Sequence, residues 1–478
     1  MVHLTPALLL ASAAFAAAAP ASQIFERQCS VAGNYPTAAV SKLPDPFTTA
    51  AGQKITTKAD FDCRKAEISK ILQQYELGTY PGKPDKVEGS LSGNTLTVRI
   101  TVGSQTVSFS ASIKKPSSGS GPFPAIIGIG GISIPIPSTV ATITFPNDDF
   151  AQQSGTSSRG RGKFYTLFGS SHSAGALIAW AWGVDRLVDA LEQVQSTSGI
   201  DPKRLGVTGC SRNGKGAFVA GALVDRIALT IPQESGAGGA ACWRISDSEK
   251  SAGKNIQTAS QIVTENVWFS PAFNAYTRQT TNIPADHHML AALTVPRGLI
   301  AFENDIDWLG PVSTTACMQA GRLIYKAYGV SNHMGFSLVG GHGHCQFPSS
   351  QQSELTSYIN YFLLKAGTAP GAVERSSAKV DLKSWAPWDV PALSAGVDVS
   401  PCTLCRVSRA PSYQGRVAHK TSLNFEGLVI HDMPSRKRDT IVTRVARRSE
   451  YSADMETFAG VSSRDRPAEE NCLQWTWE

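Results

Sequence analysis

No stretch of this chain reaches the roughly 20 consecutive apolar residues that a membrane-spanning helix needs. The longest apolar run, ALLLASAAFAAAA over residues 7–19, falls well short. Charge is sparse and nearly balanced: 17% of 478 positions are Asp, Glu, Lys or Arg, with a net charge of +6. So mild an excess gives no ground for a nucleic-acid partner. There is no Asn-x-Ser/Thr sequon, so N-glycosylation is not expected, and there is no internal repeat. The composition excludes a collagen-like chain, a coiled coil and a wholly disordered protein. Metal-ligand spacing is also missing. Cys402-x-x-Cys405 has no second pair or nearby histidines, and Asp286-His287-His288 stands alone and reads as a loop. We therefore expect no metal, no cofactor and no membrane partner.

The apolar run at residues 7–19, with small residues Ala18, Ala19, Pro20 and Ala21 at its end, has the pattern of a secretory signal peptide. The expectation is a secreted, extracellular monomer with a catalytic domain over residues 20–396. Past about Leu393 the chain mixes Ser, Arg and charges without lasting periodicity, and residues 397–478 read as a disordered tail. Nine cysteines suit an oxidising compartment. Six lie in the main body, Cys29, Cys63, Cys210, Cys242, Cys317 and Cys345, and their spacing alone allows 15 pairings.

Residues 29–60 are rich in Pro and Thr and read as an extended wrap, leading into a helix over 64–75. Residues 96–113 (LTVRITVGSQTVSFSASI) alternate apolar and polar positions, which predicts an antiparallel hairpin. Short buried strands then alternate with helical patterns. Strands are expected at 125–129, 205–208, 227–231, 299–302 and 336–339, and helices at 174–194, 214–223, 314–327 and 354–364. That rhythm predicts an α/β protein with a mostly parallel sheet and helices on both faces.

The segment 204–216, RLGVTGCSRNGKG, runs a strand into Gly209-Cys210-Ser211 and a helix out of it. A serine on such a tight turn is the nucleophile-elbow arrangement, with the helix N-terminus beside a developing oxyanion. Asn213 stands where the usual pattern has its second glycine, so a plain turn with a capping serine is the competing interpretation. A serine nucleophile needs a base and an acid. The strand 336–339 is followed by Gly340-Gly341-His342-Gly343-His344-Cys345, which offers His342 and His344. Ser211 follows Cys210, and Cys345 follows His344. Contact between Ser211 and His344 would thus bring the two cysteines within disulfide range, which favours His344 as base and leaves His342 beside it. For the acid, Glu234 after one strand and Asp305 or Asp307 after the next are equally placed by spacing.

Taken together, Gly209-Cys210-Ser211-Arg212-Asn213-Gly214-Lys215, Pro232-Gln233-Glu234-Ser235-Gly236, Asp305-Ile306-Asp307-Trp308-Leu309-Gly310-Pro311 and His344-Cys345-Gln346-Phe347 carry a resemblance. Over residues 28–393 the chain resembles the fungal glucuronoyl esterases of carbohydrate esterase family fifteen; the tail has no counterpart there. The resemblance implies a three-layer α/β-hydrolase fold and a carboxylic ester hydrolase with Ser211 as nucleophile, His344 as base and Glu234 as acid. It implies disulfides Cys29–Cys63, Cys210–Cys345 and Cys242–Cys317. The implied substrate is the ester between 4-O-methyl-D-glucuronic acid of glucuronoxylan and lignin alcohols. Arg212, next after the nucleophile, suits the oxyanion hole through its backbone N–H. Lys215 lies four residues beyond Ser211, on the same side of the emerging helix, and Trp308 follows a strand where an indole can stack on a sugar. The sugar-binding set of the family falls on Lys215, Gln257, Glu265 and Trp308. Another carbohydrate esterase, such as an acetylxylan esterase, and a non-catalytic carbohydrate-binding protein on the same fold are the alternatives.

Overall fold

The structure, a computed structural model, describes residues 29–395. The signal-peptide run, the tail and Cys402, Cys405 and Cys472 lie outside them. Ten strands form one sheet among the described residues: β1 (Lys86–Ser92), β2 (Thr95–Val102), β3 (Gln105–Lys114), β4 (Phe123–Ile129), β5 (Ala141–Phe145), β6 (Ile200–Cys210), β7 (Ile227–Gln233), β8 (Gly298–Glu303), β9 (Met334–Leu338) and β10 (Glu374–Arg375). Their order is β1-β2-β3-β5-β4-β6-β7-β8-β9-β10. The first strands are antiparallel, and from β5 onward every pairing is parallel.

The hairpin expected over 96–113 is β2 and β3, whose inward residues Val107, Phe109, Ala111 and Ile113 are buried on alternate positions. Strands β1, β5 and β10 were not foreseen. β10 is two residues long, β1 has no buried residue, and β5, though it buries Ala141, Ile143 and Phe145, is only five residues long, so each leaves little periodic signal.

The principal helices are α1 (Lys58–Leu72), α2 (Ala176–Gln193), α3 (Arg212–Leu223), α4 (Trp243–Ser251), α5 (Ala259–Glu265), α6 (His288–Thr294), α7 (Pro311–Tyr328) and α8 (Gln352–Ile359). Alternation along the strands sorts them onto two faces. Ile127, Val207, Leu299 and Ala301 belong to the cluster that includes α2, α3, α6 and α7. Their neighbours Ile126, Ile300 and Phe302 pack with Leu355, Tyr358 and Ile359 of α8. The result is helix, sheet and helix in three layers. The chain steps from β4 outward to β5 and returns past β4 to β6, so strand order reverses at β4. Ligands of open α/β sheets bind at the strand C-termini beside such a reversal, and β6 ends there.

Candidate active site

Ser211 sits between the end of β6 and the start of α3 with φ 59° and ψ −124°, a strained conformation for a side-chain-bearing residue. Two glycines make the turn possible. A Cβ on Gly209 would lie 2.4 Å from the Asn213 carbonyl oxygen, and one on Gly214 would lie 2.5 Å from the Gln233 carbonyl oxygen. The Ser211 N–H donates to Gln233 O at 2.9 Å, tying the elbow to β7. Asn213, the departure from the usual pattern, has a structural role. Its Oδ1 accepts from Asn147 Nδ2 and Gln153 Nε2, both at 3.1 Å, and Gln153 Oε1 accepts from Trp268 Nε1 at 2.9 Å. A glycine there would leave those two buried amides without this partner.

The loop after β9 carries His344, half-buried, with Nδ1 2.7 Å from Glu234 Oε2. The same oxygen accepts the Cys345 N–H at 2.9 Å. Glu234 follows β7, is 1% exposed and has φ 44°. The disulfide Cys210–Cys345 joins the residue before Ser211 to the residue after His344, with Cα atoms 5.8 Å apart. A His344 ring nitrogen and the two sulfurs lie within 4.8 Å of one another, but sulfurs bonded to each other are not thiolate ligands. Cys29–Cys63 and Cys242–Cys317 are also bonded.

The competing acids point elsewhere. Asp305 is exposed and lies against Gly340, where an added Cβ would come 1.8 Å from its Oδ2. Asp307 is exposed as well. The loop after β8 contributes Asn304 instead, whose Nδ2 reaches Glu234 Oε2 at 3.4 Å and the His342 carbonyl at 3.2 Å. His342 itself flanks Glu234 Oε1 at 3.7 Å, while its Nε2 is 2.8 Å from Val339 O.

The polar residues picked from sequence form a continuous rim. Arg212 Nη2 is 3.9 Å from Glu265 Oε1, and Gln257 Nε2 donates to Glu265 Oε2 at 3.1 Å. The Gln257 N–H donates to Trp308 O, and the Trp308 ring meets His344 edge-on at 4.8 Å. The Arg212 guanidinium and the Lys215 ammonium both lie over the Trp268 indole, at 5.2 and 5.7 Å. Lys215 is buried rather than solvated. Its Nζ donates to Ser235 O at 2.6 Å, and burial pushes it down to about 8 against the opposing pull of Glu303 and Glu265.

Three groups escaped the sequence. Glu303, the last residue of β8, is buried beneath Ser235 and pushed up to about 7 by burial, with hydrogen bonds from Ser235 opposing. Trp268 underlies both cations. The motif Asp286-His287-His288, expected as a loop, is fully buried and leads into α6. Asp286 accepts from the Trp243 and Arg244 N–H groups and from the Arg244 guanidinium. His287 bridges Gly239 O at 2.7 Å and Glu76 Oε1 at 2.5 Å. Burial alone would lower the pKa of His287, but the Glu76 carboxylate outweighs it and holds it above its ordinary value. The partners lie up to 244 residues away, His288 Nε2 meeting Pro44 O, so no local pattern marks them.

The family model described as glucuronyl esterase, fungi, matches residues 98–329. The 4-O-methyl-glucuronoyl methylesterase of Thermothelomyces thermophilus is 73% identical over 391 residues, covering 81% of this chain and 98% of that protein. The glucuronoyl esterase catalytic domain from Hypocrea jecorina is 54% identical with TM-score 0.75, covering 76% of this chain and all of that one (100%). A serine-to-alanine variant of the Sporotrichum thermophile glucuronoyl esterase, solved with methyl 4-O-methyl-β-D-glucopyranuronate, is 71% identical with TM-score 0.76, covering 77% of this chain and 100% of its own. The chain belongs to the fungal glucuronoyl esterases, a family of carboxylic ester hydrolases on the three-layer α/β-hydrolase fold.

Proposed function

We propose that this chain is a secreted serine esterase that hydrolyses esters between 4-O-methyl-D-glucuronic acid of glucuronoxylan and lignin alcohols through a Ser211–His344–Glu234 triad. The observation that carries the triad is the 2.7 Å contact from His344 Nδ1 to Glu234 Oε2, on a loop bonded through Cys345 to the residue before Ser211. With Nδ1–H donating to the carboxylate, Nε2 is the base atom. Ser211 Oγ attacks the uronoyl carbonyl as Nε2 takes its proton. The tetrahedral oxyanion meets the Arg212 N–H, which lies in the first turn of α3 and has no intrahelical acceptor. Collapse expels the alkoxide, which takes the proton from His344 and leaves as the alcohol. Water, deprotonated by His344, then attacks the acyl-enzyme, and Ser211 Oγ leaves with that proton to give free glucuronate.

A polar acyl group fits the rim of Arg212, Lys215, Gln257, Glu265 and Trp308. Two cations stacked on Trp268 favour a sugar acid over a fatty acyl chain. The methyl glucuronate held by the Sporotrichum thermophile variant supports the same acyl group here. Secretion is supported by the signal-like run at residues 7–19 and by disulfides that need an oxidising compartment. Among the described residues no helix is long and apolar enough to cross a membrane. The test is hydrolysis of a lignin-type arylalkyl ester of 4-O-methyl-glucuronoxylan by culture supernatant and by purified protein. Product that appears only with intracellular extract, or from the simple methyl ester alone, would contradict it.

A further inference from the structure

Glu234 adopts φ 44°, a backbone region that costs a residue with a side chain energy and does not persist unless its surroundings impose it. What imposes it is the next two residues. The Ser235 N–H and Oγ–H both donate to Glu303 Oε1, at 2.9 and 2.8 Å, and the Gly236 N–H donates to Glu303 Oε2 at 3.3 Å. Ser235 Oγ also accepts the Ala240 N–H at 2.9 Å, extending the hold along the loop. On the other side of the same residue, Lys215 Nζ donates to Ser235 O at 2.6 Å. One residue before, the Glu234 N–H donates to Phe302 O at 2.7 Å. The segment that aims the acid is therefore gripped between the end of β8 and a cation on α3.

We propose that Glu303 is a positioning residue for the esterase reaction: through Ser235 and Gly236 it fixes the turn that aims Glu234 at His344. This rests on the Ser–His–Glu reading above. Glu303 is 1% exposed and Ser235 0%, so neither touches substrate. A carboxylate only accepts hydrogen bonds when ionised, and it alone among side chains of this length can take all three donors; those donors oppose the protonation that burial favours. A glutamine at 303 keeps an oxygen for Ser235 but turns an amide N–H toward the Gly236 N–H, donor against donor. The loop then loosens at Gly236, and Glu234 loses its aim at His344 without losing its charge. Positioning errors of about an ångström cost catalysis heavily while leaving substrate binding nearly intact.

The test is a double-mutant cycle on a glucuronate ester, with Glu303→Gln, Glu234→Gln, the double variant and Ser211→Ala measured together and melting temperatures recorded. Glu303→Gln lowers kcat by about tenfold with KM changed less than about twofold, and costs almost nothing further in the Glu234→Gln background. Equal losses in both backgrounds, or no loss at all, overturn the inference. Should Glu303→Gln not fold, Ser235→Ala carries the same cycle, because it removes the hydroxyl bond to Glu303 and the acceptor of the Ala240 N–H while leaving the two backbone donors in place. Silence of Ser211→Ala and Glu234→Gln beside an unimpaired Glu303→Gln overturns the positioning role alone. Full activity in Ser211→Ala overturns the triad beneath it.

Discussion

His344 meets its carboxylate partner, Glu234, across the C-terminal edge of the sheet at 2.7 Å, reaching over β8 to the loop after β7. The loop after β8, which sequence spacing offered equally, turns Asp305 and Asp307 outward and presents Asn304 to the pair. Glu234→Gln therefore lowers kcat on a glucuronate ester by about 10²- to 10⁴-fold. Asp305→Asn leaves it within about twofold. Steady-state kinetics of the two variants side by side decide the assignment; a larger loss in the aspartate variant would reverse it.

The disulfide between Cys210 and Cys345 spans 135 residues and holds together the loops of Ser211 and His344, the proposed nucleophile and base. Chain-entropy arguments place the stabilisation from closing a loop of that length at about 5 kcal/mol. Replacing both cysteines by alanine lowers the melting temperature by several degrees and depresses kcat more than it raises KM, because the loops lose their common tether. Calorimetry with kinetics at a temperature where the variant remains folded separates the two effects. Unchanged kcat would show that the bridge contributes to stability only.

On the rim, Gln257 donates one side-chain hydrogen bond to Glu265 and its backbone supports Trp308. On the proposed sugar-binding role, Gln257→Ala removes a neutral polar contact and raises KM by about fivefold, with kcat little changed. Initial rates over a range of methyl glucuronate concentrations measure the split. A loss confined to kcat would place Gln257 with the reacting atoms instead.

The parts of this molecule that were legible in its sequence are those written over a few residues. The hairpin of β2 and β3 follows from strict alternation, and the elbow from Gly209, Ser211 and Gly214 on one strand-to-helix turn. The long helices α2 and α7 announced themselves through apolar periodicity. What stayed hidden depends on distant partners. Glu303 ends a strand of wholly buried residues and gains its meaning from Ser235 and Gly236, 68 and 67 positions earlier. His287 and His288 read as a polar loop because their partners, Glu76 and Pro44, come from the far end of the chain. The choice between Glu234 and Asp305 was open to spacing because both follow consecutive parallel strands. The folded chain separates them: Glu234, at positive φ, meets His344 Nδ1 at 2.7 Å, while Asp305 is exposed and crowded against Gly340.

His288 gives the fold an acid limit. It is fully buried, with Nε2 2.9 Å from Pro44 O, and burial pushes it down to about 4. Unfolded, it titrates near 6.5. Below that value the unfolded chain takes up a proton that the native state refuses, so stability falls as pH drops from about 6.5 to about 4. The loss is about 3 kcal/mol over that window. Urea unfolding of the native chain and of His288→Gln across this range checks the sign, since the difference between them shrinks toward acid. A difference independent of pH would refute the assignment.

The most direct test of the central claim is hydrolysis of benzyl D-glucuronate by the purified protein and by Ser211→Ala, beside acetylxylan and a p-nitrophenyl acyl ester. The site described here predicts cleavage of the glucuronate ester far above the other two, and its loss by at least about a thousandfold when Ser211 becomes alanine. Preference for the acetyl or acyl ester, or undiminished turnover by Ser211→Ala, would contradict it.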